Sequence, residues 1–157
     1  MPYTVLNTHL DHPPPMPGAT RTLHASAAAR NGAGVLLLGP SGAGKSDLAF
    51  RLMARGFVLI ADDQVLIQDG VATSPPGLEG LLELRGLGII RVAWAPARLV
   101  LAVQLVQGER MPSPARLPEL DLPVINVDPG AASAALRIGL ALDCLSGAVA
   151  MHAGAFA

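Results

Sequence analysis

The chain has 157 residues and a net charge of −1, with 51% hydrophobic, 3% aromatic and 15% charged residues; its pI lies near 6.4 and its mean hydropathy is +0.45. This length fits one domain of about 100–200 residues, the apolar content excludes charge-driven disorder, and the charge balance argues against a nucleic-acid binder working through bulk electrostatics. A single cysteine, Cys144, excludes an internal disulfide, the four scattered histidines form no zinc-type cluster, and a reducing, cytoplasmic compartment fits both.

In chain order, residues 1–20 carry Pro13-Pro14-Pro15 and Pro17-Gly18, which predict an extended leader ahead of one domain over 21–157. Met1 to Val5 lack the basic region and apolar run of a secretory signal. His9 and His12 fall in this leader and receive no functional weight, nor does His152 in the tail. The pattern from Arg21 to Ala29 is compatible with a strand, although its alanine run leaves a helix open. Gly34 to Leu38 is a short apolar run bounded by glycine, the mark of a buried strand. Leu48, Ala49, Leu52 and Met53 then recur at helical spacing, with Gly56 placed to end the helix.

Phe57 to Ala61 predicts a second buried strand ending in Asp62-Asp63. Val65-Leu66-Ile67 and Val71-Ala72-Thr73 flank Asp69-Gly70, a hairpin signal. Ser74 to Gly77 is a loop, Leu81 to Val92 is strand-like despite Gly86 and Gly88, and Leu99 to Val106 is a further strand. Residues 107–118, with Pro112, Pro114 and Pro118, form a surface connection before a short strand at Val124 to Val127, which Pro129-Gly130 stops. From Ala132 onward the pattern is helical. The apolar tail, Ile138 to Ala157, carries Asp143, which would cost about 2.5–3.5 kcal/mol at a bilayer centre. A soluble helix burying one face, with Cys144 inert inside it, is the expectation, and no membrane span. So many hairpin-like strands predict a mixed rather than an all-parallel sheet.

The segment Gly39-Pro40-Ser41-Gly42-Ala43-Gly44-Lys45-Ser46 fits the P-loop pattern G-x-x-x-x-G-K-[ST]. Glycines let backbone N–H groups turn in on phosphate oxygens, and the following helix offers its positive end to the same anion. Lys45 would bridge the terminal phosphates and the Ser46 hydroxyl would ligate magnesium. From this chain's own residue frequencies a chance match arises in about one such sequence in a thousand, because Lys45 is the only lysine among the 11 basic residues. Asp62 and Asp63, at a strand end near a phosphate site, divide naturally into a metal partner and a proton acceptor; a polar strand end starting a turn is the plainer alternative. Glu83 and Arg85 are expected to share one strand face opposite the leucines, which alone is equally consistent with a solvated face. On local grounds His24 reads as a packing residue.

Together, Leu23-His24-Ala25-Ser26, Gly39 to Asp47, Arg55-Gly56, Leu59 to Asp63 and Leu82 to Ile90 resemble the HPr kinase/phosphorylases, bacterial enzymes that phosphorylate a serine of the phosphocarrier HPr, or of its paralogue, in the phosphotransferase system. The resemblance is strongest from residue 22 to 92. More weakly, Pro129, Ser133 and Arg137 are similar to the short, single-domain alphaproteobacterial form. It implies an α/β P-loop kinase domain with a mixed sheet, similar to the nucleotide-binding part of phosphoenolpyruvate carboxykinase. It also implies that Gly39, Pro40, Ser41, Gly42, Ala43, Gly44, Lys45, Ser46 and Asp47 cradle ATP, and that Ser46 and Glu83 hold Mg2+ with Asp62 close behind. Asp63 would be the base in phosphorylation and the acid in reverse, His24 and Lys45 would position phosphates, and the segment containing Arg85 would serve both directions.

Longer members have an N-terminal domain that this chain does not match, and an Arg-Asn pair where Pro129-Gly130 is followed here by Ala131-Ala132. Kinase activity on an HPr-like carrier, with weak phosphorolysis and a homo-oligomeric state, is therefore the expectation. The rivals are a P-loop small-molecule kinase or nucleoside triphosphatase, for which 107–118 makes a poor lid, and a nucleotide-sensing module, which would have no use for Asp63 and Glu83.

Overall fold

The computed structural model describes residues 18–157, so the expected leader, with His9 and His12, lies outside the described residues except at its end, where Thr20 already opens a strand. The elements are β1 (Thr20–Leu23), β2 (Ser26–Arg30), β3 (Ala33–Leu38), α1 (Lys45–Met53), β4 (Val58–Ala61), β5 (Val65–Gln68), β6 (Val71–Thr73), β7 (Leu81–Leu84), β8 (Gly88–Arg91), β9 (Ala97–Gln104), β10 (Arg116–Leu117), β11 (Leu122–Asn126) and α2 (Ala134–Ser146).

Nine strands form one mixed sheet with the path β1-β5-β6-β9-β3-β2-β4, and β11 joins β9 and carries β10. The central β9 pairs in parallel with β3 over its length and with β11 over Val124 to Asn126, and antiparallel with β6 at its start. The β2–β3 hairpin turns on Asn31-Gly32 and the β5–β6 hairpin on Asp69-Gly70, all four at positive φ, the conformation that two-residue hairpin loops select.

The two-residue period of β3 sorts its side chains to opposite faces. Val35 and Leu37 meet Leu48, Leu52, Leu101, Ile138 and Leu142, so α1 and α2 both cover that face. Leu36 and Leu38 meet Ile60, Val65, Ile67, Leu117 and Leu122 on the other, where the cover comes from strands and the 117–122 segment. Among the described residues no helix is long and apolar enough to cross a membrane.

Four expectations change. Residues 21–29 are neither one strand nor a helix but the end of β1 and most of β2, broken at His24-Ala25. The strand-like run Leu81 to Val92 is the separate β7–β8 hairpin, so Arg85 sits in its turn rather than on the strand beside Glu83. Gly86 at φ 84° makes that reversal. The tail helix stops at Ser146, where Gly147 at φ 83° caps it, and Cys144 is half-buried rather than enclosed.

Candidate active site

The glycine-rich loop connects β3 to α1. Buried Val35 to Leu38 fix one end, and Leu48, Ala49 and Leu52 anchor α1 on the same core. Gly44 takes φ 102° immediately before the helix, a conformation that costs a side-chain-bearing residue about 1–2 kcal/mol. Gly56, at φ 89°, ends the helix as expected, with its N–H on the Met53 carbonyl and the Phe57 N–H on that of Leu52.

Lys45 is buried, and its Nζ donates to the carbonyls of Gly39 at 2.6 Å and Pro40 at 2.9 Å. Burial pushes the ammonium below its ordinary value, and the Asp63 and Asp62 carboxylates pull it back up. Ser41, Gly42, Gly44, Lys45, Ser46 and Asp47 line an open cleft of about 720 Å³. Ala43 packs against the core beneath them. Asp47 is exposed and paired with Arg51 at 3.0 Å, an i,i+4 contact. Arg51 also donates to the carbonyls of Pro129 at 2.6 Å and Ala131 at 3.4 Å, which clamps the late loop onto α1.

β4 delivers Asp62 and Asp63 to the cleft. Asp62 lies behind its wall and accepts three hydrogen bonds: Ser46 Oγ and Ser26 Oγ each reach its Oδ1 at 2.7 Å, and the Glu83 N–H reaches its Oδ2 at 3.3 Å. Asp63 has φ 69°, unusual for a residue with a side chain and of the kind that clusters at functional sites. Its carbonyl accepts from the Ala25 N–H at 3.2 Å. The Asp63 carboxylate is exposed in the cleft, with Oδ1 3.3 Å from His24 Nδ1. His24 Nε2 stands 3.3 Å from Ser41 Oγ. Thus His24 is not a packing residue: it is half-exposed and bridges the loop and Asp63.

Glu83, Leu84, Arg85 and Leu87 bring the β7–β8 hairpin to the opposite wall, and Phe50 of α1 completes the rim. Of the expected set, His24, Ser41, Gly42, Gly44, Lys45, Ser46, Asp47, Asp63, Glu83 and Arg85 line the cleft. Asp62 reaches it through Ser46, and Gly39, Pro40 and Ala43 do not line it, the first two meeting it through their carbonyls on Lys45. His152 is exposed and no part of the cleft lining. The sequence gives no signal for Arg51, and Ser26 enters it only as the last residue of the block Leu23-His24-Ala25-Ser26, with no role of its own. Its lone hydroxyl in the alanine run from Ala25 to Ala29 is the further signal that marks it.

Among the described residues no group of three or more His, Cys, Asp or Glu could cage a metal. The Ser46 hydroxyl and Asp62 carboxylate nevertheless fit Mg2+, which prefers oxygen, keeps waters and takes one or two protein groups alongside substrate phosphates. Because Ser46 donates its proton to Asp62, its lone pairs remain free for a cation.

Residues 18–95 match the family model for the HPr Serine kinase C-terminal domain. Over 66 residues the chain is 50% identical to HPr kinase/phosphorylase 1 of Oceanobacillus iheyensis, covering 39% of this chain and 21% of that protein. It is 46% identical over 78 residues to the HPr kinase/phosphorylase of Bacillus cytotoxicus, covering 46% of this chain and 25% of that protein. The chain thus spans about a quarter or less of these curated relatives. A solved structure, the Hpr(Ser) kinase/phosphatase from Coxiella burnetii, superposes with a TM-score of 0.66 at 26% identity, over 82% of this chain and 92% of that one.

Proposed function

Because the chain belongs to the HPr kinase C-terminal domain family, we propose that it is an ATP-dependent protein-serine kinase acting on an HPr-like phosphocarrier of the phosphotransferase system, with weak phosphorylase activity. The observation that carries this reading is the convergence of Lys45, Ser46 and the His24–Asp63 pair on one open cleft. In this reading the domain over 21–157 is a cytoplasmic homo-oligomer whose fold is that of a P-loop kinase, similar to the nucleotide-binding part of phosphoenolpyruvate carboxykinase.

The residues divide the work by position. Backbone N–H groups from Gly39 to Ser46 and the start of α1 receive the ATP phosphates. Lys45 neutralises charge on the transferring group. Ser46, Asp62 and Glu83 would hold Mg2+, which would supply positive charge to the ATP phosphates. Asp63 accepts the proton of the carrier's serine hydroxyl as its oxygen bonds to the γ-phosphorus and the bond to ADP breaks. His24, donating from Nδ1 to Asp63 and accepting at Nε2 from Ser41, keeps that carboxylate beside the phosphate site. Arg85 offers a second cation from the facing wall. The cleft is open, and Leu87, 70% exposed at the hairpin tip, leaves apolar surface beside the reacting atoms, which suits a macromolecular hydroxyl donor.

Incubating the chain with labelled ATP, Mg2+ and purified HPr-type carriers tests the reading. Label on a carrier serine is the expected result. ATP hydrolysis with no labelled carrier would overturn it in favour of a nucleoside triphosphatase.

A further inference from the structure

β2 and β4 run antiparallel, and their register slips once. Ala28 opposes Leu59, yet Ala27 opposes Ala61, so Ile60 is an extra residue in β4. Bulges of this kind are frequent beside active sites, where they re-aim a side chain. Continued without the slip, the ladder would set Ala61 against Ser26 and Asp62 against Ala25, and Asp62 would meet no polar side chain of β2. With the slip, Ser26 lies opposite Asp62, and its Oγ donates to Asp62 Oδ1 at 2.7 Å.

Ser26 is fully buried, and a buried hydroxyl without a partner is costly. Among the described residues its Oγ bonds to Asp62 and Asp63 alone: besides Asp62, it accepts a long bond from the Asp63 N–H at 3.4 Å. Asp62 Oδ1 is in turn the acceptor for Ser46 Oγ. A continuous chain of hydrogen bonds therefore runs from the interior of β2 to the hydroxyl facing the phosphate site.

We propose that Ser26 is a positioning residue for metal binding: through the bulge in β4 it fixes the Asp62 carboxylate, which orients the Ser46 hydroxyl toward a nucleotide-bound Mg2+. This rests on the reading of the cleft as a Mg2+–ATP site. Partners one layer behind a metal's ligands typically contribute 10–100-fold in metal affinity or activity.

The test uses Ser26→Ala, Ser26→Val and Ser26→Thr in the full chain. Calorimetry measures the affinity for a non-hydrolysable ATP analogue across a Mg2+ series and in EDTA, and melting temperatures establish that each variant is folded. Val fills the site and excludes a substituting water, so it should raise the half-saturating Mg2+ by about 10-fold or more. Ala should raise it less, Thr should restore it, and affinity in EDTA should stay at the wild-type value in all three. A wild-type Mg2+ response in Val and Ala, an equal loss in EDTA, or failure of Thr to restore the response would each overturn the proposal. A wild-type chain that binds Mg2+–ATP yet labels no carrier would defeat the proposed substrate and leave this result standing.

Discussion

Asp63 presents its carboxylate 3.3 Å from His24 Nδ1 while its own backbone is held at φ 69°. The two observations have one cause. The Ala25 N–H bonds the Asp63 carbonyl, so the break between β1 and β2 that exposes His24 also holds the turn that exposes Asp63. Conformation and side-chain pairing are set together, and a substitution at either residue acts on the same small unit.

Lys45 is gripped by the carbonyls of Gly39 and Pro40, a niche for a compact ammonium. Lys45→Ala should abolish turnover and weaken ATP binding. Lys45→Arg should also fail, because a planar fork cannot occupy a point-charge niche. Nucleotide affinity and initial rates decide the matter, and normal activity in either variant would contradict the phosphate-binding role.

The acidic residues should separate by their response to metal. Asp63→Asn is the informative change, since asparagine tolerates positive φ, whereas alanine adds backbone strain to the lost carboxylate. It should leave Mg2+–ATP affinity near normal and cut phosphotransfer by about 10²–10⁴-fold. Glu83→Gln should instead raise the Mg2+ requirement. Identical metal-dependent defects in the two variants would show that the roles are not divided this way.

Phosphorolysis should be slow beside the forward reaction. It must hold inorganic phosphate next to phosphoserine, and crowding two anions calls for additional fixed cations. The late loop supplies Ala131 and Ala132, and Arg51 beneath it is already committed to Asp47 and to the Pro129 and Ala131 carbonyls. Arg137 is exposed at the start of α2 and is no part of the cleft lining. Lys45 and Arg85 are the lysine and arginine that line the cleft. Following pyrophosphate release from serine-phosphorylated carrier in excess phosphate measures the rate. Release as fast as phosphorylation would mean that Arg85 suffices, and Arg85→Gln should then abolish it.

What the sequence made legible was local. The loop between β3 and α1, the stop at Gly56 and the Asp69-Gly70 turn each depend on a few adjacent residues whose conformational preferences are strong. Asn31-Gly32 is an equally strong hairpin signal, but the alanines before it blur any alternation of polar and apolar positions. The remainder depends on distance along the chain. Nothing near Ser26 announces a bulge 34 residues later at Ile60, and Arg51 meets the late loop across 78 residues. Arg85 was misplaced because an apolar run with two glycines fits one strand as well as a hairpin.

The pairing of β3 with β9 has a consequence for dissection of the chain. The match to the family model ends at residue 95, just before β9 begins at Ala97. A fragment cut at that boundary would retain every residue of the proposed catalytic set and lose the strand beside the one that carries the glycine-rich loop. The backbone edge of β3 would be bare, between the apolar faces of Val35 and Leu37 and of Leu36 and Leu38. Exposed apolar edges recruit other chains, so residues 18–95 expressed alone should aggregate rather than bind nucleotide, as light scattering and calorimetry would show. The segment matched by the family model would thus hold the proposed catalytic set without being a folding unit, and the half of the chain beyond it is what keeps the central strand from pairing with a stranger.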